Sequence, residues 1–486
     1  MSEATRKNFI TDISFIAVSK YSGIFVGILI NAILARLLSP DDYGIVALAT
    51  VFSTFFNLFT SMGIGPAIIQ NRKLTERDIS NIFGFTFWMG LILAVIFFSC
   101  SNWIADFYKN KVLISICRWL SLQIFLSSLC IVPEALLSRQ KLFKYVAKRN
   151  LSFQVFAGII SIVLAFKGFG VYTLLVSPLF TETMNFIVNE YKVKQKINIF
   201  PSITPLKKIF NFSIFQFLFN LINFFGNNFG SMVIGKVMSV AAIGYYNKAG
   251  SLINLPVSNI NGVITPVLFP YLVDYQNDRE KIFSVFHRLN LLLATLAFPL
   301  SSLLYMCSKE IILILYGPQW TIVISCFAIL TLVVGMQISS VSISAVLQAI
   351  GKTHIMFILG FINTIVSLIG LLIAVSFFKN IDGLALMAVF SSAWAAISSL
   401  IVLYKVIFKK KLKIYFVYLI RPILFFVMMT FISYFINEFV YGNIFVSLII
   451  KIIIFCICFF LFLRYFTPYE PLTYIKYAKI KLTGKG

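Results

Sequence analysis

The chain has 486 residues, of which 59% are apolar and 12% charged, too little polar surface to coat a water-soluble globule of this length. Its 41 Lys and Arg against 17 Asp and Glu give a formal charge of +24, which in a soluble protein would point to nucleic acid. The bases fall between apolar stretches instead, so they read as a membrane-topology signal, nucleic acid is not an expected partner, and an all-α polytopic membrane protein is the class that remains.

A helix rising 1.5 Å per residue crosses a hydrocarbon core of about 30 Å in roughly 20 residues. The apolar run from Phe9 to Leu38 is too long for a signal peptide and lacks a small-residue cleavage site, so the first span is expected at 15–36. One face of it reads Lys20, Gly23, Gly27 and Asn31, and Arg36 closes it. Spans at 44–65, 79–101 and 112–137 follow, the last carrying Arg118 and Glu134, then 151–166 and 171–190, which holds Glu182. The seventh span, 209–235, sets Gln216, Asn220, Asn223 and Asn227 at i, i+4, i+7 and i+11 along one helical face, with Lys236 just beyond. The eighth, 244–270, continues with Asn247, Ser251, Asn254, Ser258, Asn261 and Thr265, beside Lys248. Spans at 286–308, 321–350, 355–378, 384–407, 417–438 and 443–463 complete fourteen crossings, with Arg421 and Lys451 embedded in the last two.

Assigning the Lys and Arg outside the span interiors to alternate sides puts 29 with the two termini and 7 opposite. The positive-inside rule then places both termini in the cytoplasm, as an even number of crossings requires, and lays the basic tail from Arg464 to Gly486 on the inner headgroups. Seven cysteines fall in or beside apolar spans without a CxxC pair, and His287 and His354 have no ligand-spaced partners, so neither a metal nor another cofactor is expected. The loops opposite the termini are too short to form a domain.

Two offsets relate the halves. At 200, Arg36, Ser39, Gly44, Pro66 and Asp78 match Lys236, Ser239, Gly244, Pro266 and Asp278; at 213, Gly170 matches Gly383 and Tyr191-Lys192-Val193 recurs as Tyr404-Lys405-Val406. Both offsets join spans of the same rank and orientation. The expected organisation is two pseudo-symmetric six-helix lobes, 1–200 and 201–413, followed by two further spans and the tail at 414–486.

Amides and hydroxyls in a stripe can glue helices together, which is common in membrane bundles, or line a hydrated cavity between the lobes where sugar hydroxyls would find donors and acceptors. Lys20 and Lys248 read as cavity bases or as snorkelling side chains; snorkelling, or a neighbouring carbonyl, is the expected answer for Arg421 and Lys451. Glu134 and Glu182 read as carboxylates that bind a coupling ion, H+ or Na+, or as partners for bases.

The segment Ala35-Arg36-Leu37-Leu38-Ser39-Pro40-Asp41-Asp42-Tyr43-Gly44 resembles the opening signature of Wzx-type oligosaccharide flippases, members of the multidrug/oligosaccharidyl-lipid/polysaccharide exporter superfamily. Gly65-Pro66-Ala67-Ile68-Ile69-Gln70, Leu74-Thr75, Gly244-Tyr245-Tyr246-Asn247-Lys248-Ala249 and Leu255-Pro256-Val257 are similar to the colanic-acid-exporter branch. Two positions depart from it: Ser61 stands where relatives often carry an acid, and Lys248 where they often carry Arg. The resemblance implies alternating access in a bacterial inner membrane, moving an undecaprenyl-pyrophosphate-linked oligosaccharide for O-antigen, capsule or exopolysaccharide assembly, with polymerase and glycosyltransferases as partners.

On that expectation Lys20, Lys248, Arg36 and Lys236 contact phosphate, because a buried pyrophosphate must be paired. Asn31 and the two stripes contact sugar. The alternative is a cation-coupled drug antiporter of the same superfamily acting through Glu134 or Glu182. A membrane-bound polymerase would need a substantial outer loop, and the sequence has none of that length; no catalytic residues are expected.

Overall fold

Each apolar stretch folds as a helix, the structure in which every backbone polar group is satisfied within the segment itself. In the computed structural model, which describes residues 3–71, 73–140, 142–195, 198, 200–202, 210–439 and 443–465, the described residues contain no strand. The helices are α1 (Glu3–Leu37), α2 (Pro40–Ser61), α3 (Ile64–Gln70), α4 (Glu76–Tyr108), α5 (Val112–Arg139), α6 (Phe143–Phe166), α7 (Thr173–Val193), α8 (Phe210–Val237), α9 (Val240–Val273), α10 (Arg279–Met306), α11 (Ser308–Leu315), α12 (Val323–Ala349), α13 (Thr353–Ile373), α14 (Ile381–Ile401), α15 (Lys413–Phe439) and α16 (Ile444–Tyr465). A π-helical turn closes α13 at Ala374–Phe378 and another closes α14 at Val402–Ile407.

Among the described residues, twelve segments are long and apolar enough to cross a membrane. Helices α8 and α9 add 28 and 34 residues, which at 1.5 Å per residue are about 42 and 51 Å long. Large apolar side chains such as Trp103, Phe357, Ile369, Leu424 and Phe460 lie exposed along the helices. A surface of that kind requires lipid as solvent, and the protein is a multi-pass membrane protein.

Two local features differ from the simple span pattern. The stretch expected as one crossing at 44–65 breaks where Met62 (φ 36°) and Gly63 (φ 68°) both take left-handed backbone, which a right-handed helix cannot continue, and α3 restarts beyond it. The stretch between the expected ninth and tenth spans is not a plain loop, because it folds into α11 and a short turn at Pro318–Trp320.

Helix starts follow local chemistry. Ser39 caps α2 in a reciprocal box: the Asp42 backbone N–H donates to Ser39 Oγ at 3.2 Å, and the Ser39 backbone N–H donates to Asp42 Oδ2 at 2.9 Å. Pro40 at the first helical position loses no hydrogen bond, since that N–H would be unpaired in any case. Thr75 and Asp78 repeat the box at the start of α4.

Packing divides the chain into two compact units, 1–244 and 245–486. In the first, Ile64, Ile68, Ile82, Phe83 and Val132 form a core joining α3, α4 and α5. In the second, Phe286, Tyr404, Phe408 and Tyr415 centre a core built from α10, the π turn after α14 and α15, while Phe425, Phe455 and Phe462 bind α15 to α16. The boundary at Gly244 differs from the repeat boundary at 200, since one reports packing and the other sequence correspondence.

Candidate functional site

Of the four bases expected to meet phosphate, Lys20 and Arg36 are exposed on α1. Lys236 is exposed at the last turn of α8; its Nζ donates to the Phe107 carbonyl at 2.5 Å and lies 4.0 Å from the Phe107 ring centroid. A cation at the carbonyl end of α4 is favoured by the helix dipole as well as by the ring face. Lys248 is buried, with Nζ 4.8 Å from the Tyr316 ring centroid and 5.7 Å from that of Trp320. Gly317, at φ 93°, makes the turn that brings both rings onto it, and Tyr245 packs edge-on against Trp320.

The amide and hydroxyl stripes divide by helix. On α9, Ser251, Asn254, Ser258 and Asn261 are exposed and Asn247 is half-buried. Their bonds are mostly local: Ser251 Oγ donates to the Lys248 carbonyl at 2.8 Å, Ser258 Oγ to the Leu255 carbonyl at 3.3 Å, and Asn261 Oδ1 accepts from Thr265 Oγ1 at 2.6 Å. On α8, Asn220 is half-buried, and the side chains of Gln216, Asn223 and Asn227 lie outside the described residues. On α1, exposed Asn31 donates to the Gly27 carbonyl at 3.1 Å. Gly23 and Gly27 on the same face admit Gln154 of α6, whose Nε2 donates to the Gly23 carbonyl at 2.9 Å, so those two glycines serve helix packing.

Glu134 and Glu182 come together with a base that sequence order does not connect to them. Arg149 of α6 is buried; its guanidinium lies 3.3 Å from Glu134 Oε1 on α5, donates to Asn150 Oδ1 at 2.8 Å, and donates to Asn189 Oδ1 on α7. Glu182 of α7, half-buried, interacts electrostatically with Glu134 and Arg149, and its backbone carbonyl accepts from Cys130 Sγ of α5 at 3.4 Å. Arg149 precedes the apolar part of its helix, so position alone makes it a loop base. The available signal was the lone acid Glu134 in an otherwise apolar stretch, which needs a counter-charge.

A second ion pair also corrects an expectation. Lys451 does not snorkel: its Nζ donates to Glu310 Oε1 at 2.7 Å, Ser447 Oγ donates to the same oxygen at 2.6 Å, and both charged residues are buried. The bond ties α16 to α11. Elsewhere in the second unit, Gln337, Ser340, Ser344, Asn363, Ser392 and Ser399 line a cavity of about 270 Å³ between α12, α13 and α14.

Positions related by the 200-residue offset take related structural roles. Ser239 Oγ accepts from the Ala242 backbone N–H at 3.1 Å, capping α9 as Ser39 caps α2. A Cβ on Gly44 would overlap the Val240 carbonyl oxygen, and one on Gly244 would overlap the Pro40 carbonyl oxygen. Asp78 and Asp278 both serve helix starts, Asp78 inside the box at α4 and Asp278 as the cap of α10, accepting from the Lys281 N–H at 3.0 Å. The correspondence does not extend to every match: Tyr191 is exposed, whereas Tyr404 is buried with its hydroxyl 2.7 Å from His287 Nδ1.

Comparison with known proteins fits this architecture. The chain is 24% identical over 332 residues to the teichuronic acid biosynthesis protein TuaB of Bacillus subtilis, covering 67% of this chain and 68% of that protein. It is 22% identical over 365 residues to the lipopolysaccharide biosynthesis protein WzxC of Escherichia coli, covering 72% of each. Among solved structures it shares the fold of the lipid II flippase MurJ in an inward closed conformation (TM-score 0.71, 16% identity, 92% of this chain and 97% of that one). An inward-facing multidrug MATE transporter also shares it (TM-score 0.62, 17% identity, 78% and 92%). Residues 33–325, which include the segments that carry the Wzx-type resemblance, match the polysaccharide biosynthesis protein family, and the chain belongs to that family.

Proposed function

We propose that the protein is a flippase that carries an undecaprenyl-pyrophosphate-linked oligosaccharide from the inner to the outer leaflet of a bacterial cytoplasmic membrane, by alternating access, for surface-polysaccharide assembly. The observation that carries this reading is the alignment with teichuronic acid and lipopolysaccharide biosynthesis proteins over 67% and 72% of the chain. The fold shared with a lipid II flippase along 92% of the chain is compatible with the same cargo class. Both termini lie in the cytoplasm, no covalent step is needed, and glycosyltransferases and a polymerase act before and after.

The exposed row Ser251, Asn254, Ser258 and Asn261 supports a sugar-contacting face. Hydrocarbon cannot satisfy such groups, whereas a glycan supplies many donors and acceptors. Lys20, Arg36, Lys236 and Lys248 are the bases for the pyrophosphate, with Lys248 held beneath Tyr316 and Trp320 in this conformation. The duplicated lobes are 1–200 and 201–413, followed by 414–486; the paired caps at Ser39 and Ser239 support that division.

Deleting the gene tests the function. Lipid-linked oligosaccharide should accumulate on the cytoplasmic side and surface polysaccharide should fall; unchanged lipid pools together with unchanged polysaccharide would refute the reading.

A further inference from the structure

We infer that the cavity between α12, α13 and α14 of the second unit is a subsite for one neutral sugar residue of a lipid-linked glycan, held by the amides of Gln337 and Asn363 and the hydroxyls of Ser340 and Ser344. This rests on the flippase reading above and adds a sugar-contacting place on helices other than α8 and α9, which carry the amide and hydroxyl rows.

The cavity is kept open by residues that would ordinarily close it. Ser340, Ser344, Ser392, Ala395, Ala396 and Ser399 face it from α12 and α14, and small residues of this kind let membrane helices approach closely. Here about 270 Å³ remains between them. Gly360 of α13 stands on the wall, and a Cβ added to it would meet no atom within 4 Å, whereas one on Gly370 of the same helix would lie 3.1 Å from Ser391 Oγ. Gly370 therefore serves the contact between α13 and α14, and Gly360 serves the space. Gly360 and Gln337 are exposed members of the wall, so the cavity can be entered.

The polar groups around it are oriented by their neighbours. Ser398 Oγ donates to Asn363 Oδ1 at 3.2 Å, which fixes the amide and leaves Asn363 Nδ2 as a donor for an occupant. Ser340 Oγ donates to the Met336 carbonyl at 2.8 Å and Ser344 Oγ to the Val341 carbonyl at 3.4 Å. Each hydroxyl hydrogen is thus used within α12, and each oxygen is left as an acceptor. Hydrocarbon satisfies none of these groups.

The wall also selects the class of occupant. No Asp, Glu, Lys, Arg or His occurs among the described residues around the cavity, so it offers a counter-charge to neither a phosphate nor a cation. Ile343, Leu347, Met356 and Leu359 supply an apolar side. Amides and hydroxyls beside an apolar wall match a sugar ring, whose hydroxyls project from its rim and whose C–H bonds form its faces. A volume of about 270 Å³ falls below the roughly 300–1,000 Å³ of pockets that enclose drug-sized ligands, which limits the occupant to a single ring. On the proposed topology, Ser344, Gly360 and Ser399 lie in the cytoplasmic halves of their helices, the side from which the lipid-linked substrate enters.

Saturation-transfer difference NMR of the full-length protein in lipid nanodiscs, with N-acetylglucosamine and methyl α-glucoside as probes, reads the cavity without the native glycan. The wild type should transfer saturation to the sugar-ring protons. Gly360→Leu, which places a side chain in the open space, should lose most of that transfer. Asn363→Leu should weaken binding about fivefold, the scale of one hydrogen bond. Ser367→Leu, exposed on α13 outside the cavity wall, should bind as the wild type does. Equal transfer in the wild type and in both Gly360→Leu and Asn363→Leu, or no transfer in the wild type because the cavity holds only water, would overturn the inference. The flippase reading fails separately, through unchanged lipid pools and polysaccharide on gene deletion, and that result would leave the difference between wild type and Gly360→Leu in place.

Discussion

Gly44 and Gly244 stand in a reciprocal relationship: each leaves room for the carbonyl of the residue four positions before the other, Val240 for Gly44 and Pro40 for Gly244. Two helix starts related by the 200-residue offset thus meet backbone to backbone in the first unit. Close backbone approach through small residues is the main route to tight helix packing where lipid removes the hydrophobic driving force.

Gly44→Ala and Gly244→Ala should each lower stability by about 1–3 kcal/mol, because the new methyl must displace backbone and not a flexible side-chain end. Gly65→Ala, with nothing within 4 Å of its Cβ, should be near neutral. Thermal unfolding of the purified proteins compares the three, and equal midpoints would show that the contact does not constrain the fold.

Glu310 and Lys451 should behave as a coupled pair. Removing one partner leaves a buried charge alone, so Glu310→Gln or Lys451→Met should cost about 3–5 kcal/mol. The double variant Glu310→Met with Lys451→Met should recover much of that loss. A double-mutant cycle on thermal unfolding measures the coupling, and additive losses would mean the pair contributes nothing as a pair.

Lys248, buried beneath the Tyr316 and Trp320 rings, is proposed to act through its charge. Lys248→Arg should retain export, whereas Lys248→Gln should reduce it roughly tenfold, the scale of one charge-assisted contact. Surface polysaccharide, normalised to protein in the membrane, is the readout. Equal output from Lys248→Gln and wild type would remove Lys248 from the phosphate-contacting set.

What the sequence made legible was local. Helix positions follow from runs of apolar residues, and the Ser39-Pro40-Asp41-Asp42 start can be read directly from capping chemistry. The 200-residue offset also picked out Ser39 and Ser239, which both cap helix starts. Partners across helices were not. Arg149 reads as a loop base until α5 and α7 close around it, Lys451 meets Glu310 across 141 residues, and the rings over Lys248 come from a stretch that reads only as a loop. The break at Met62 was hidden for a different reason, since a methionine in left-handed backbone is imposed by packing and not by its own preference.

The most direct test of lipid-linked sugar transport is leaflet accessibility in reconstituted vesicles. Lipid-linked oligosaccharide would be placed in proteoliposomes, and the fraction reachable by a membrane-impermeant glycan-oxidising reagent followed over time. A flippase should expose the inner-leaflet pool, so that labelling passes the outer-leaflet fraction and approaches completion, and protein-free vesicles should stop at that fraction. Labelling that stops at the outer-leaflet fraction with active, correctly folded protein present would contradict the account.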